Sequence, residues 1–399
     1  MKRFVTDYVT EPGEPPRWKG PRSGRVAVIG SGPAGLTAAY FLATMGREVK
    51  VFEALDVIGG LLVVGIPPYR LPNDVLQRDI DYIRRAGVEF ETGSKIESLQ
   101  QLRDAGFDAI FVATGAHKSA ALGVAGEDLE GVVDALAFLR GALGGEIREM
   151  HGRAVVVGGG NAAIDAARTA LRLGASSVTI LYRRTREEMP AIASEIDDAL
   201  AEGVELRVLV APIAVEGDGR VRAVRCQEME LGDADESGRR RPVPKPDSEI
   251  TVEADHVIVA IGQGPELDFA AGDPAVVVSH GRISADSISQ RSGVADVFAG
   301  GDAVTGPATI IEAIAAGQRA ACAIDAFLGG AGELLPDTGF APRIKPDEQQ
   351  GAIPRHLAVH LPASERIGGF EEVVCGYTRE VACAEACRCL RCDLEEQCR

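Results

Sequence analysis

Apolar residues in this chain fall into short unbroken runs, and two of those runs end in a glycine cluster followed by a helix-length stretch. Residues 26–29 lead into Gly30-Ser31-Gly32-Pro33-Ala34-Gly35, and residues 154–157 lead into Gly158-Gly159-Gly160-Asn161-Ala162-Ala163. An unbroken apolar run marks a strand covered on both faces, as in a parallel sheet. The first run therefore predicts a strand, a tight turn, a helix over 33–45 with proline well placed in its first turn, and a second strand ending at Glu53. Asn73 or Asp74 is expected to cap an amphipathic helix to about 86, with strands over 88–91 and 109–113 closing at Thr114-Gly115. The second run predicts the same unit again, with a helix over 161–173 and a strand over 177–182, then a helix over 191–201.

Strand-like runs at 205–210, 220–230 and 250–261 predict a β-meander. The polar stretch 232–248, with Arg239-Arg240-Arg241 and three prolines, reads as a solvated hairpin tip. After Ile261-Gly262 the pattern returns to the first unit, with a strand at 297–299, a turn at Gly300-Gly301-Asp302 and a helix over 309–328. Prolines at 12, 15, 16 and 21 without a clear period predict an extended arm over 1–24. The expected class is α/β, with two Rossmann-like dinucleotide-binding domains, the first interrupted by the second. Its divisions are 25–117 with 280–330, 118–279, and a C-terminal tail over 331–399.

Charge narrows the partners. A formal net charge of −17 argues against nucleic acid or an anionic membrane. Residues 26–45 carry no charged side chain and would pass a hydropathy window, but the glycine turn in their middle makes strand-turn-helix the better reading. No basic stretch followed by an apolar one opens the chain, which points to a cytoplasmic protein. Cys226 and Cys322 are isolated and expected to be buried, inert thiols. Cys375 and the run Cys383-x3-Cys387-x-Cys389-x2-Cys392-x5-Cys398 crowd the tail, where thiolates could hold an iron–sulfur cluster or zinc.

The two glycine turns lead to residues of opposite charge. About twenty residues after the first comes Glu53, an acid placed to accept hydrogen bonds from ribose hydroxyls. At the matching place after the second stand Arg183 and Arg184, suited to an extra phosphate. Asp302 can accept from a ribityl hydroxyl, and the amides of Thr309 and Ile310 at a helix start can stabilise negative charge on a reduced flavin ring. Neither nucleotide unit contains Cys-x-x-Cys, and the six histidines form no cluster. Hydride transfer between nicotinamide and flavin needs alignment and exclusion of water, not a protein acid, so no catalytic side chain is required.

The combination of Gly-Ser-Gly-Pro-Ala-Gly, Gly-Ile-Pro-Pro-Tyr-Arg-Leu-Pro at 65–72, Ala-Thr-Gly at 113–115, Gly-Gly-Gly-Asn-Ala-Ala-Ile-Asp, Leu-Tyr-Arg-Arg-Thr-Arg-Glu-Glu-Met-Pro at 181–190, Ala-Ile-Gly and Gly-Gly-Asp resembles the glutamate synthase small-subunit family. That family includes the flavin arm of dihydropyrimidine dehydrogenase and FAD subunits of multi-subunit iron–sulfur oxidoreductases. The resemblance runs over about 24–330. It implies FAD at the first site, held by Gly30, Gly32, Pro33, Ala34, Gly35, Glu53, Gly60, Leu61, Arg70, Thr114, Gly115, Gly301, Asp302, Thr309 and Ile310. It implies NAD(P)H at the second, held by Gly158, Gly160, Asn161, Ala163, Arg183, Arg184, Ile261 and Gly262. Family members usually carry a Cys-rich two-cluster segment ahead of the first turn, but residues 1–24 contain no cysteine. The expected role is therefore an FAD-containing NAD(P)H:acceptor oxidoreductase subunit passing electrons to a partner's iron–sulfur centres. That partner would be ferredoxin-like, in an aldehyde, 2-oxoacid or similar complex. Three other readings stand beside it: the small subunit of glutamate synthase, a non-catalytic flavoprotein serving assembly or redox sensing, and a thiol-disulfide reductase using the tail cysteines.

Overall fold

The computed structural model describes residues 1–8, 13–234, 238–270, 273, 276–334 and 354–387. Two five-stranded sheets, parallel throughout, form its frame. The first runs in the order Val297–Ala299, Ala109–Val112, Arg25–Ile29, Glu48–Phe52, Glu89–Glu91. The second repeats that plan as Val132–Asp134, His256–Val259, Arg153–Val157, Ser177–Tyr182, Glu205–Val208. The first sheet receives its edge strand, Val297–Ala299, only after the chain has traversed the second, so one unit interrupts the other.

Each central strand is covered on both faces. Val26 and Val28 point into one core and Ala27 and Ile29 into another, all buried, which is why the sequence there is an unbroken apolar run. Helix Pro33–Thr44 lies against helix Ile310–Phe327. They meet at Gly317, where a Cβ would stand 2.4 Å from the Ala34 carbonyl oxygen. The apolar stretch 26–45 resolves into strand, turn and a 12-residue helix. Among the described residues no helix is long and apolar enough to cross a membrane.

Five expectations change. Helix Asn73–Arg85 has Pro72 as its N-cap and no side-chain cap, and Glu205–Val208 joins the parallel sheet, the meander being Val210–Asp218, Arg220–Ala234 and Arg240–Glu253. Lys2–Tyr8 is a helix rather than extended arm; Arg3 holds it to the carbonyl of Val374 at 3.3 Å and to Glu372 at 2.5 Å, partners invisible in the local sequence. The hairpin tip is also shorter than 232–248. Strands Arg220–Ala234 and Arg240–Glu253 pair through Met229 with Pro244 and Leu231 with Pro242. Prolines are tolerated there because Arg240–Glu253 is an edge strand, with no second neighbour among the described residues to receive its N–H groups. Finally, part of the C-terminal tail is docked. The Val373 N–H donates to the Tyr69 carbonyl at 3.0 Å, and Arg366 donates to Asp198 at 2.8 Å.

Candidate functional site

Both glycine turns open into one cleft of about 1580 Å³. A site for one small ligand is ordinarily ~300–1,000 Å³, so this space suits something larger. The two turns are built alike. Gly30 has φ +101 and Gly158 φ +146, and a Cβ on either would strike the end of the next strand, 2.5 Å from the Ala113 oxygen and 2.2 Å from the Ala260 oxygen. Two residues on, Gly32 and Gly160 have extended backbones, and a Cβ on either would meet nothing within 4 Å. That open space, at the N-terminus of a helix whose first N–H groups lack partners, is what a pyrophosphate needs.

Glu53 is preorganised. Its Oε2 accepts from the Ser31 N–H at 3.0 Å and hydroxyl at 2.6 Å, and its Oε1 accepts from the Leu55 N–H at 2.9 Å. A carboxylate has roughly four acceptor positions, which leaves one for a ribose hydroxyl. Elsewhere on the cleft lining, burial pushes the Asp302 carboxyl up to about 6, while its Oδ1 accepts from the Ala308 N–H at 3.2 Å. Thr114, also on the cleft lining, offers a buried hydroxyl without a protein partner among the described residues. Four isoleucines, Ile192, Ile261, Ile310 and Ile311, are exposed along the cleft, an apolar lining suited to ring systems. An orphaned hydroxyl, two cradles a methyl would fill and an apolar lining together fit two dinucleotides.

The cleft brings together Gly30, Gly32, Pro33, Ala34, Glu53, Gly60, Leu61, Thr114, Gly115, Gly301, Asp302, Thr309 and Ile310 with Gly158, Gly160, Asn161, Arg183, Arg184, Ile261 and Gly262. Gly35 and Ala163 do not reach it. A Cβ on Gly35 would lie 2.0 Å from the Gly30 oxygen, and Ala163 is buried in the core of the second unit, so both act in helix–strand packing. Arg70 lines the cleft, but its guanidinium bonds to Asp165 at 2.7 Å and Glu195 at 3.3 Å, tying the two units together. Beside it the Tyr69 ring lies under the guanidinium groups of Arg172 and Arg168, and its hydroxyl donates to the Asp165 carbonyl at 3.2 Å. Burial pushes the Asp165 carboxyl up to about 7.

The expectation for Thr309 needs correcting. Its N–H and hydroxyl both donate to Glu312, at 2.8 and 2.6 Å, in a capping box. Only the amides beyond it, at Ile310 and Ile311, are left to face a ligand. The spacing Thr-x-x-Glu was a readable signal of this. Two cleft residues were missed. His117 lies 3.4 Å from the Arg140 guanidinium, and burial followed by that charge holds its pKa below the ordinary value. Arg239 arrives from the hairpin tip assigned to solvent.

Of the cysteines, Cys226 is buried with its thiol pushed up to about 11 by burial, whereas Cys322 is only partly buried. Cys375, Cys383 and Cys387 are exposed, the last two on helix Arg379–Cys387; Cys389, Cys392 and Cys398 lie outside the described residues. Among the described residues no group of three or more His, Cys, Asp or Glu side chains is placed to hold a metal ion.

Residues 24–317 match the pyridine nucleotide-disulphide oxidoreductase family. The chain is 42% identical to the NADP(+)-dependent formate dehydrogenase subunit beta of Moorella thermoacetica, over 98% of this chain and 61% of that protein. It is 40% identical to the NADPH-Fe(3+) oxidoreductase subunit beta of Geobacter sulfurreducens, over 98% and 65%. The chain thus spans less than two thirds of the length of those relatives. It is also 38% identical to the glutamate synthase [NADPH] small chain of Escherichia coli, over 80% of this chain and 72% of that one. In fold it is similar to Mycobacterium tuberculosis FprA, solved in complex with NADPH, with a TM-score of 0.66 at 19% identity, covering 77% of this chain and 85% of that one. The chain is an oxidoreductase of the pyridine nucleotide-disulphide oxidoreductase family, on the branch of the glutamate synthase small subunit.

Proposed function

We propose that this chain is the FAD-containing NAD(P)H:acceptor oxidoreductase subunit of a larger cytoplasmic iron–sulfur enzyme. The observation that carries this is the pairing of two glycine turns on one cleft, one read by Glu53 and the other by arginine. FAD would lie against Gly30 to Ala34, with Glu53 at a ribose and Asp302 at the ribityl chain. The nicotinamide nucleotide would lie against Gly158 to Asn161, with Arg183 at its ribose. The bound flavin would supply hydride exchange with the nicotinamide and single-electron exchange with an iron–sulfur acceptor.

The protein's own contribution is alignment. The turn glycines admit both pyrophosphates, the Asn161 Oδ1 accepts from the Ile192 N–H at 3.0 Å to fold the 190–192 loop over the second turn, and the exposed isoleucines exclude water. The names of the two nearly full-chain relatives, both NADP(H)-linked beta subunits, support a role beside a partner that carries the terminal chemistry. The 38% relative supports the alternative of a glutamate synthase small chain. The C-terminal cysteines offer a second electron exit if they hold an iron–sulfur cluster, whereas zinc there would be structural only; metal analysis of the purified chain decides between them.

Anaerobic mixing of the flavin-loaded chain with NADPH or NADH tests the reading: the flavin absorbance should bleach within seconds. A flavin that stays oxidised with both nucleotides would leave only a structural or sensing role. Dye reduction that survives Cys387→Ser and Cys392→Ser excludes the thiol-disulfide reductase reading.

A further inference from the structure

Arg183 and Arg184 are adjacent in sequence but do different things in the fold. Arg183 is exposed on the cleft wall, whereas Arg184 is buried there. The Arg184 Nε donates to the carbonyl of Arg240 at 2.8 Å, at the start of strand Arg240–Glu253. Two more bonds join the same places. The Leu209 N–H donates to the Arg184 carbonyl at 3.0 Å, and the Met229 N–H donates to the Leu209 carbonyl at 2.8 Å. Leu209 has φ +55, a left-handed conformation that a branched side chain rarely adopts. The chain thus accepts strain where the antiparallel sheet is lashed to the end of the nucleotide-reading strand.

This lashing places the hairpin tip. The Arg240 side chain turns back to the carbonyls of Leu231 at 2.7 Å and Gly232 at 3.2 Å, closing the hairpin on itself. Of the three consecutive arginines, Arg239 alone lines the cleft, which Arg183 also lines. One arginine comes from the end of the strand Ser177–Tyr182 and the other from outside the dinucleotide fold.

We propose that Arg239 is a specificity-determining residue for NADP(H), gripping the 2′-phosphate together with Arg183, and that Arg184 is a positioning residue acting through Arg239. The proposal rests on the reading that a nicotinamide dinucleotide occupies the turn at Gly158 to Asn161. A phosphomonoester carries about −1.5 to −2 charge at pH 7, and guanidinium groups match its oxygens with charge-assisted, paired hydrogen bonds. In a chain of net charge −17 two arginines on the cleft lining favour approach of the dianion. A nucleotide with a free 2′-hydroxyl presents no charge to either arginine, so the pair discriminates. Arg184, whose Nε is committed to the hairpin, secures the tip from which Arg239 reaches.

The test uses the full flavin-loaded chain. Flavin reduction is followed by anaerobic stopped-flow across NADPH and NADH concentrations, and binding of 2′,5′-ADP and 5′-ADP by calorimetry. Arg239→Ala should raise the apparent Kd for NADPH and for 2′,5′-ADP about tenfold, as expected for one lost hydrogen bond to a charged group. The limiting reduction rate, the NADH response and 5′-ADP binding should stay unchanged, and Arg239→Lys should recover part of the loss. Arg184→Ala should weaken NADPH in the same way, and the double variant Arg184→Ala/Arg239→Ala should be no weaker than Arg239→Ala alone. Additive losses would mean that Arg184 itself grips the phosphate, overturning its positioning role. Unchanged 2′,5′-ADP binding in Arg239→Ala, or a wild-type preference for NADH, overturns the assignment of Arg239 while leaving the flavin reading intact. Failure of both nucleotides to reduce the wild-type flavin overturns the parent reading instead.

Discussion

Gly30→Ala and Gly32→Ala add the same methyl group two residues apart and should fail in opposite ways. At Gly32 the backbone has φ −69 and ψ 179, open to any residue, and the added methyl meets nothing within 4 Å. Folding should be unharmed, or helped by ~0.4–1 kcal/mol through a stiffer unfolded chain. The space that the methyl takes is the one assigned to the FAD pyrophosphate. Losing two amide–phosphate hydrogen bonds at about 1.5–3 kcal/mol each corresponds to roughly a hundred- to ten-thousand-fold weaker flavin binding.

At Gly30 the backbone has φ +101 and the methyl would stand 2.5 Å from the Ala113 oxygen. A left-handed alanine costs about 1–2 kcal/mol before the contact is relieved. Relief means displacing a strand end whose Ala113 N–H donates to the Ile29 carbonyl at 2.9 Å. The assays are thermal denaturation of the flavin-free proteins and flavin titration of each. Gly32→Ala should melt like wild type and bind little FAD; Gly30→Ala should melt lower. Gly160→Ala, with φ −90 and equally open space, should keep its flavin and lose reduction by NADPH. A Gly32→Ala protein that purifies with full flavin would refute the placement of the pyrophosphate.

Burial raises the Asp302 carboxyl from 3.8 to about 6, so folding takes up a proton between those values and this group's contribution to stability falls as pH rises through that window. A ribityl hydroxyl donating to the carboxylate favours its ionised form, so FAD affinity should rise from pH 5 to 7, and titrations of Asp302→Asn should show that rise removed. Arg366→Ala removes the closer of two buried guanidinium groups beside Asp198, at 2.8 Å against 3.9 Å for Arg168, and limited proteolysis should then cut within 354–387 while flavin content stays unchanged. Native alkylation followed by mass spectrometry should label the exposed Cys375, Cys383 and Cys387 well before Cys226, whose buried thiol is pushed up to about 11.

Local chemistry made much of this fold readable. The turn at Gly30 and the strand Ser177–Tyr182 follow from neighbours in sequence, where apolar runs and left-handed glycines carry their own signal. Thr309 shows a partial reading: its place at a helix start was visible, but its amide belongs to Glu312, three residues on. Arg70 and Arg239 could not be placed from sequence, because Asp165, Glu195 and the hairpin bond to Arg184 come from distant chain segments. A helix at Lys2–Tyr8 was equally hidden, since Glu372 and Val374 hold it from the far end of the chain.

The interrupted sheet imposes an order on assembly. Ile110 pairs with Val297, a contact that closes only after the entire second unit has left the ribosome, and long loops make such pairing slow. Asp302 and the helix Ile310–Phe327 arrive on that same late segment. A nascent chain can therefore finish the Arg183 half of the cleft, and engage nicotinamide nucleotide, while the flavin half still lacks a wall. On the proposed function, flavin capture must then wait for that segment, and chains stalled before Val297 should emerge able to bind one nucleotide and unable to pass its electrons on.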